Sequence, residues 1–596
     1  MHPKCFGGTV AWRLQKSGQL LMAPEVGVPG PKSVKTERKI VWRGRADFFR
    51  LVPLAAVVLV FWWFFGRYGF NPTDDGFILG QSWRMLQGET PHVDFTSPRP
   101  LGSAILHLPE LLNPWGTLAV SRLVVALQLM WIAIATVEMF PALRKKGRIE
   151  HFCLVTIAFI VNVGVWPLMA WHTIDGLFFG ATALWLSVRP VTTGRWSWYQ
   201  WGALWLIAGF APLIKQGFLI VPLLVVLLLV VHRRWRALFF APLALIPGVL
   251  YLLFTIETPG GVTGQLYSGS ILELYTPLSA FIAGVTDSRG TLVMVCVLSA
   301  VFLLRFGVGS RVVNMFIALG LVTAPILLLG RMEGFSIGGF WSYSAIMCLL
   351  ALTALLVRDV QRLAAIVAIF GLAYAVAMSW GAPAPTLLAG TLLVFSVSLV
   401  LDEYQLQEET PRHGILFVAA LLLVVSVAVS LVLQSRTVDV YKEIAQDGLT
   451  ATVDDSKFWL IKMSPQSAAY VEDVRSCLRK YPASKVAILP DGAGLYPLLG
   501  MTNPFHSDWW LIQEQSADHL ERVESQIQEL NADRDWLVLF QSYSLFDLRN
   551  LSVSEVTETG QPFSYIPADT RILGSLDGIE VECGSLTGEY SVGLGE

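Results

Sequence analysis

Asp74 and Asp75 stand side by side just after the first long apolar run. They head the segment Asn71–His107, NPTDDGFILGQSWRMLQGETPHVDFTSPRPLGSAILH. One of two adjacent carboxylates can take the proton of a hydroxyl nucleophile, provided its neighbours keep it ionised and aimed. The pair also suits a structural role, because an acid at the start of a helix opening near Gly76 satisfies free N–H groups and favours the dipole. Both roles can hold together. Downstream lie Arg84, Glu89, His92, Asp94 and Arg99. His92 by itself is an ordinary polar loop residue. Arg99 sits between Pro98 and Pro100, whose fixed φ angles hold a guanidinium on a stiff segment suited to bidentate phosphate binding. Lys215, in PLIKQG, is a cation between two apolar runs, where a purely structural charge is expensive. Arg331, beside Glu333, marks another helix end, where snorkelling accounts for it equally well. Asp175, in WHTIDG, reads as a helix cap or as an acid orienting other groups.

The elements that must position these residues are membrane helices. Of the 596 residues, 54% are hydrophobic and only 15% charged, and the mean hydropathy is +0.56, outside the ordinary globular range. The 21 tryptophans fit a protein with many rings at headgroup level. A formal net charge of -2 points to no partner, and nucleic acid is not expected as one. Apolar runs near the ~20 residues that a spanning helix needs fall at 51–69, 116–140, 152–170, 173–188, 200–214, 217–231, 237–255, 290–305, 312–330, 343–357, 363–379, 384–400 and 415–433. The count is about thirteen, and residues 275–285 read as an interfacial helix. Positive charge alternates between the connections: Arg144, Lys145, Lys146 and Arg148, then Arg189 and Arg195, then Arg233, Arg234 and Arg236, then Arg305 and Arg311, then Arg358 and Arg362. The positive-inside rule puts these and the basic leader 1–50 in the cytosol. The first outer loop, 70–115, and everything after about 434 then share the opposite face. The leader lacks a signal-peptide core, and Met22 is an alternative start. No internal repeat is visible, which weighs against duplicated transporter folds.

After Leu433 the composition turns polar. Ser464-Pro465 opens a helix ending near Lys480. Lys485–Leu489, Trp536–Phe540 and Ile579–Val581 read as strands, and 517–530 as an amphipathic helix. The expected architecture is therefore a leader (1–50), a transmembrane domain (51–433) and a small α/β extracytoplasmic domain (434–596). Nothing in the tail looks catalytic; Asp491 reads as a turn residue, and His506, in NPFHSDWW, as part of an aromatic packing cluster. Cys477 and Cys583 are its two cysteines, and a disulfide and two thiols are both open readings. No spacing suggests a zinc site.

The loop residues resemble the first extracytoplasmic loop of the GT-C superfamily of polytopic glycosyltransferases, which includes protein O-mannosyltransferases and the enzyme that adds aminoarabinose to lipid A. The resemblance rests on Asp74-Asp75, Leu86-Gln87-Gly88, Asp94-Phe95 and Arg99-Pro100, with weaker likenesses at Lys215-Gln216 and in KVAILPDGAGLYPLLGMTNP. Two departures stand out. Asp75 replaces the commoner glutamate, and Pro98-Arg99-Pro100 replaces the Glu-Lys-Pro of the lipid A-modifying enzymes. The resemblance implies a polyprenyl-phosphate sugar as donor, a glycan, lipid or protein hydroxyl as acceptor, and one inverting displacement at the outer face of a bacterial inner membrane. It implies Asp74 and Asp75 as the catalytic acids, Asp74 as base with Asp75 or Asp94 orienting the acceptor or a cation, and Arg99, Lys215 and Arg331 on the donor phosphate; His92 and Asp175 join Asp94 as residues that orient the acceptor or support those that do. It leaves a divalent metal ion open, with Asp74 and Asp75 as its ligands. The rival readings are a transporter or flippase of envelope precursors, and a non-catalytic assembly scaffold; a transporter would place its ionisable groups at mid-membrane.

Overall fold

The computed structural model describes residues 44–140, 148–163, 168–189, 197–255, 359–377, 445–489, 492–510, 516, 518–540, 575–581 and 591–594, with scattered residues of 262–321 and 388–395. The chain divides into two units, Met1–Phe49 and Arg50–Glu596. Of the first, only the helical residues 44–49 are described. The second carries all the other described elements.

The helical part begins with α1, Gly44–Phe61, which carries Pro53 and runs into a π turn, Trp62–Gly66. The first loop holds two helices, α2 (Asp74–Leu86) and α3 (Gly102–Leu111). Then come α4 (Thr117–Glu138), α5 (Arg148–Val163), α6 (His172–Val188), α7 (Trp198–Ile214), α8 (Ile220–Val231), α9 (Ile246–Phe254) and α10 (Val360–Ala377). A short 3-10 turn, Gln216–Leu219, leads into α8, and a longer 3-10 stretch, Trp235–Leu245, leads into α9. The expected runs at 116–140, 173–188, 200–214 and 363–379 match these helices to within a few residues. The run at 237–255 is apolar as expected, but its first half is 3-10. The expected spans 343–357 and 415–433 and the interfacial helix near 275–285 lie outside the described residues, as do parts of 290–305, 312–330 and 384–400.

α6 is central: it packs against α4, α7 and α8, while α5 lies on α4 and α10 on α8. The apolar core runs through all of them, with Leu129, Ala133, Leu177, Leu184, Leu204, Leu228 and Leu372 fully buried. Their other faces are apolar as well. On α9, Leu250, Leu252, Leu253 and Phe254 are more than half exposed, and Phe239 is nearly bare. Water would penalise so continuous an apolar surface, whereas lipid tails solvate it. Among the described residues, Thr117–Glu138 and Trp235–Phe254 are long and apolar enough to cross a membrane. The protein is thus a helical membrane protein with a lipid-facing belt.

The tail opens its helix α11, Pro465–Lys480, where Ser464 Oγ accepts the Ser467 N–H at 3.0 Å. It continues through β1 (Lys485–Leu489), α12 (Leu495–Leu499), α13 (His519–Asp533), β2 (Trp536–Phe540), β3 (Ile579–Val581) and β4 (Ser591–Leu594). The sheet order is β1-β2-β4-β3, with β1 and β2 parallel and the other pairs antiparallel. α13 buries Val523, Ile527 and Leu530 against Ala487, Leu489, Trp536 and Val538. The three expected strands and both expected helices are present; β4 and α12 are additions. Cys477 is disulfide-bonded, and Cys583 and Asp491 lie outside the described residues.

The tail is bound directly to the first loop. Arg84 of α2 donates from Nη2 to Asp508 Oδ1 at 2.8 Å and from Nη1 to Glu89 at 2.7 Å. Trp83 donates to the Met501 carbonyl at 2.8 Å, and Thr96 N–H to the His506 carbonyl at 2.8 Å. Segments that hydrogen-bond to each other lie on one side of a bilayer, so the loop and the tail share a face. The expected aromatic cluster is interior: Phe505, His506 and Trp510 are buried, and His506 Nε2 meets His519 Nδ1 at 3.0 Å.

α2 meets α12 through glycine. A Cβ on Gly76 would stand 1.8 Å from Gly494 Cα, and one on Gly80 would stand 3.0 Å from the Ala493 carbonyl. Gly76→Ala is therefore expected to cost at least ~1–3 kcal/mol of overpacking, and Gly80→Ala clearly less. Thermal unfolding in detergent measures both; equal losses would disprove the close contact.

Candidate active site

The site is built at the head of α2, where the sequence supplies its own cap. The Asn71 side-chain oxygen accepts the Thr73 and Asp74 N–H groups, both at 3.0 Å. In return, Asp75 Oδ2 accepts the Asn71 N–H at 2.9 Å. This reciprocal arrangement works like a capping box. The helix starts at Asp74 rather than near Gly76, and the cap is an uncharged amide rather than one of the acids.

Asp75 also receives Arg122 Nη2 at 2.6 Å. Arg122 comes from α4 and donates besides to the carbonyls of Gly66 (3.0 Å) and Gly69 (2.7 Å). The pair is almost fully buried. Asp75, expected to share the catalytic work, is instead committed to joining the loop to the helical bundle. Asp74 is only 2% exposed and one turn from Phe77, hence on the same face of α2. Arg99 lies over the Phe77 ring, 5.7 Å from its centroid. Phe77 also packs against Trp171 and against Trp509 of the tail, at centroid separations of 5.8 and 5.5 Å.

The expected cations Arg99 and Lys215 lie on two segments that are fastened to each other by their neighbours. Gln216 Nε2 donates to the Pro98 carbonyl at 2.7 Å, fastening the arginine-bearing segment to the turn after α7. Lys215 is buried, its Nζ 3.5 Å from Thr173 Oγ1 in the first turn of α6. His172, the first residue of α6, precedes Thr173 and packs on Trp171, whose ring lies against the Phe77 that Arg99 covers. Arg331 lies outside the described residues.

The remaining expected site residues are elsewhere. Asp175 is wholly buried and accepts from Ser103 Oγ (2.7 Å), Gln128 Nε2 (2.7 Å) and His107 Nε2 (3.1 Å). His107 Nδ1 meets Glu110 Oε1 at 2.7 Å. Burial alone would push the His107 imidazole down, but the Asp175 and Glu110 carboxylates outweigh it and hold its pKa at about 10. This group ties α3 to α4 and α6 from inside. His92 is buried with φ +63°, against Tyr251 OH and with Nδ1 2.8 Å from Gln265 Oε1. It is a packed loop anchor rather than an exposed polar residue. Asp94 is exposed, and its carboxylate accepts the Thr90 N–H at 2.6 Å, closing a turn.

A divalent ion does not fit the acid pair as folded. Asp75 Oδ2 already binds a guanidinium, whose charge opposes a second cation, and among the described residues no three His, Cys, Asp or Glu groups converge as ligands. Reading the sequence for function passed over Arg122, His107, Glu110, Gln128 and His172. Arg122 carried a usable signal, a lone charge inside an apolar run. His172 carried none.

Solved structures that resemble this chain include two of one protein. Both are ArnT from Cupriavidus metallidurans, one in the apo state and one bound to undecaprenyl phosphate. They are 13% and 14% identical to it, cover 92% and 93% of it and 98% and 99% of their own chains, and superpose with a TM-score of 0.42 each. No family model and no curated protein matches.

Breaking the Arg122–Asp75 pair from one side strands a buried charge. Arg122→Met is expected to cost ~3–5 kcal/mol, and Arg122→Met with Asp75→Leu much less than the sum of the single changes. Chemical denaturation of the three variants tests this, and additive losses would contradict it. His107 is charged in the fold well above its ordinary pKa of ~6.5. Its contribution is therefore complete below ~6.5 and is lost as pH rises through about 10. The unfolding temperature should fall across that window and fall less steeply in His107→Gln; parallel curves would remove the charged histidine.

Proposed function

We propose that this chain is a glycosyltransferase that moves a sugar from a polyprenyl-phosphate donor to a hydroxyl of a glycan, lipid or protein acceptor. The supporting observation is the meeting, at one end of the helical bundle, of a buried acid on the first turn of α2 with two cations fixed on separate elements. Asp74 shares a helix face with Phe77, Arg99 covers Phe77, and Lys215 reaches Thr173 in the first turn of α6, two residues from the Trp171 that packs against Phe77. A base beside fixed positive charge is what a displacement with an anionic leaving group needs.

In the proposed reaction the acceptor oxygen attacks the anomeric carbon and its proton passes to Asp74. The bond from that carbon to the phosphate oxygen breaks, and the polyprenyl phosphate leaves with the electron pair, with inversion at the sugar. Arg99 and Lys215 stabilise the charge gathering on the phosphate. Asp75, through Arg122, keeps Asp74 in place. No step calls for a metal at the acid pair.

The chain works, in this reading, in a bacterial inner membrane, with the leader cytosolic and the first loop and tail outside. The alternation of positive charge supports that orientation. So does the disulfide at Cys477, which belongs in an oxidising compartment.

Asp74→Asn should lower transfer by ~10²–10⁴-fold while leaving insertion and unfolding temperature unchanged. The assay is release of polyprenyl phosphate from a lipid-linked sugar, and near-normal turnover would remove Asp74 as base. Arg99→Ala and Lys215→Ala should impair donor use more than acceptor use. Equal effects on both would count against the phosphate assignment, and flux of an envelope precursor through proteoliposomes without transfer would favour a transporter.

A further inference from the structure

The surroundings of His172 leave it incomplete. It is 1% exposed, yet among the described residues neither Nδ1 nor Nε2 has a hydrogen-bond partner. A buried imidazole normally has at least one ring nitrogen engaged, because an unpaired polar atom away from water costs free energy. The neighbours that could satisfy it are otherwise occupied. Asp175, one turn along, is taken by Ser103, Gln128 and His107. Trp171 covers one face, its ring centroid 4.7 Å from that of the imidazole.

The charges around it define what is missing. Lys215 Nζ lies 3.5 Å from Oγ1 of Thr173, the next residue, and Arg99 lies over Phe77, which packs against the Trp171 that covers the imidazole. His172 also opens a helix of 17 residues, whose first N–H groups and dipole favour an anion. An imidazole in either protonation state carries at least one N–H to donate. We propose that His172 is the third ligand of an anion pocket shared with Arg99 and Lys215, donating a ring N–H to the phosphate of a polyprenyl monophosphate. This rests on the function proposed above and adds a ligating residue to it. A tetrahedral phosphate offers an oxygen to each of three donors approaching from different elements, whereas a carboxylate offers only two oxygens.

The test uses the purified full chain in detergent, with farnesyl phosphate as probe and farnesol as the control of equal tail length. The wild type should prefer the phosphate. His172→Leu should lose about tenfold in affinity for farnesyl phosphate, as for one hydrogen bond to a charged group. Farnesol binding should be unchanged, and His172→Gln, which keeps a donor, should recover most of the loss. If His172→Leu does not fold, the wild type decides: its 15N-histidine signal that disappears in His172→Gln should shift with farnesyl phosphate and not with farnesol. Wild-type affinity in His172→Leu, equal loss of both ligands, or an unmoved signal would overturn the proposal. Phosphate preference that depends on His172 in a protein without sugar transfer would instead overturn the enzymatic reading and leave the pocket standing.

Discussion

The salt bridge between Arg122 and Asp75 is the constraint on which the rest of this end of the bundle depends. Two charges removed from water are tolerated only when their remaining lone pairs and protons are used, and here they are shared with the backbone of the π turn and of Asn71. Its effect is positional. The arginine belongs to α4 and the carboxylate to α2, so the loop helix is joined at its first turn to the part of the protein that lipid holds. Asp74 inherits that fixed position as the adjacent residue. A base that must meet a hydroxyl within hydrogen-bond reach gains from such rigidity.

From the other side, the tail holds the same helix. Arg84, near the end of α2, is paired with Asp508, and α12 approaches Gly76 closely enough to exclude any side chain. α2 therefore has one end tied to the bundle and the other to the tail. The buried His107–Asp175–Glu110 group does for α3 what Arg122 does for α2. The charged and polar residues of this face mostly connect helices.

The parts of this organisation that were legible in the sequence were those with a local signature. Apolar runs of spanning length gave α4, α6, α7 and α10, and Ser464-Pro465 gave the start of α11. The acid pair stood out because charge is rare in so apolar a chain, and Arg99 because two prolines flank it. What escaped was whatever depends on partners far away in the chain. Asp75 has the look of a catalytic acid until Arg122, 47 residues on, is placed beside it. His92 has the look of a solvated loop residue because nothing near it announces Tyr251 or Gln265. β4, with a glycine in its four residues, has too little pattern to be told from a loop. The 3-10 geometry of Trp235–Leu245 was equally hidden, since its composition is that of any apolar helix.

The placement of β4 has a consequence for biogenesis. Ser591–Leu594 is inserted between β2 and β3, so among the described strands β3 has no other neighbour, and β2 is paired on one side only until this strand arrives. A polypeptide made from its N-terminus thus cannot close the sheet until residue 594 has been added. The buttress that holds α2 is completed late, well after the helices beneath it have entered lipid. Newly made molecules should therefore pass through a stage in which the bundle is inserted and the acid-bearing helix is still secured at one end only.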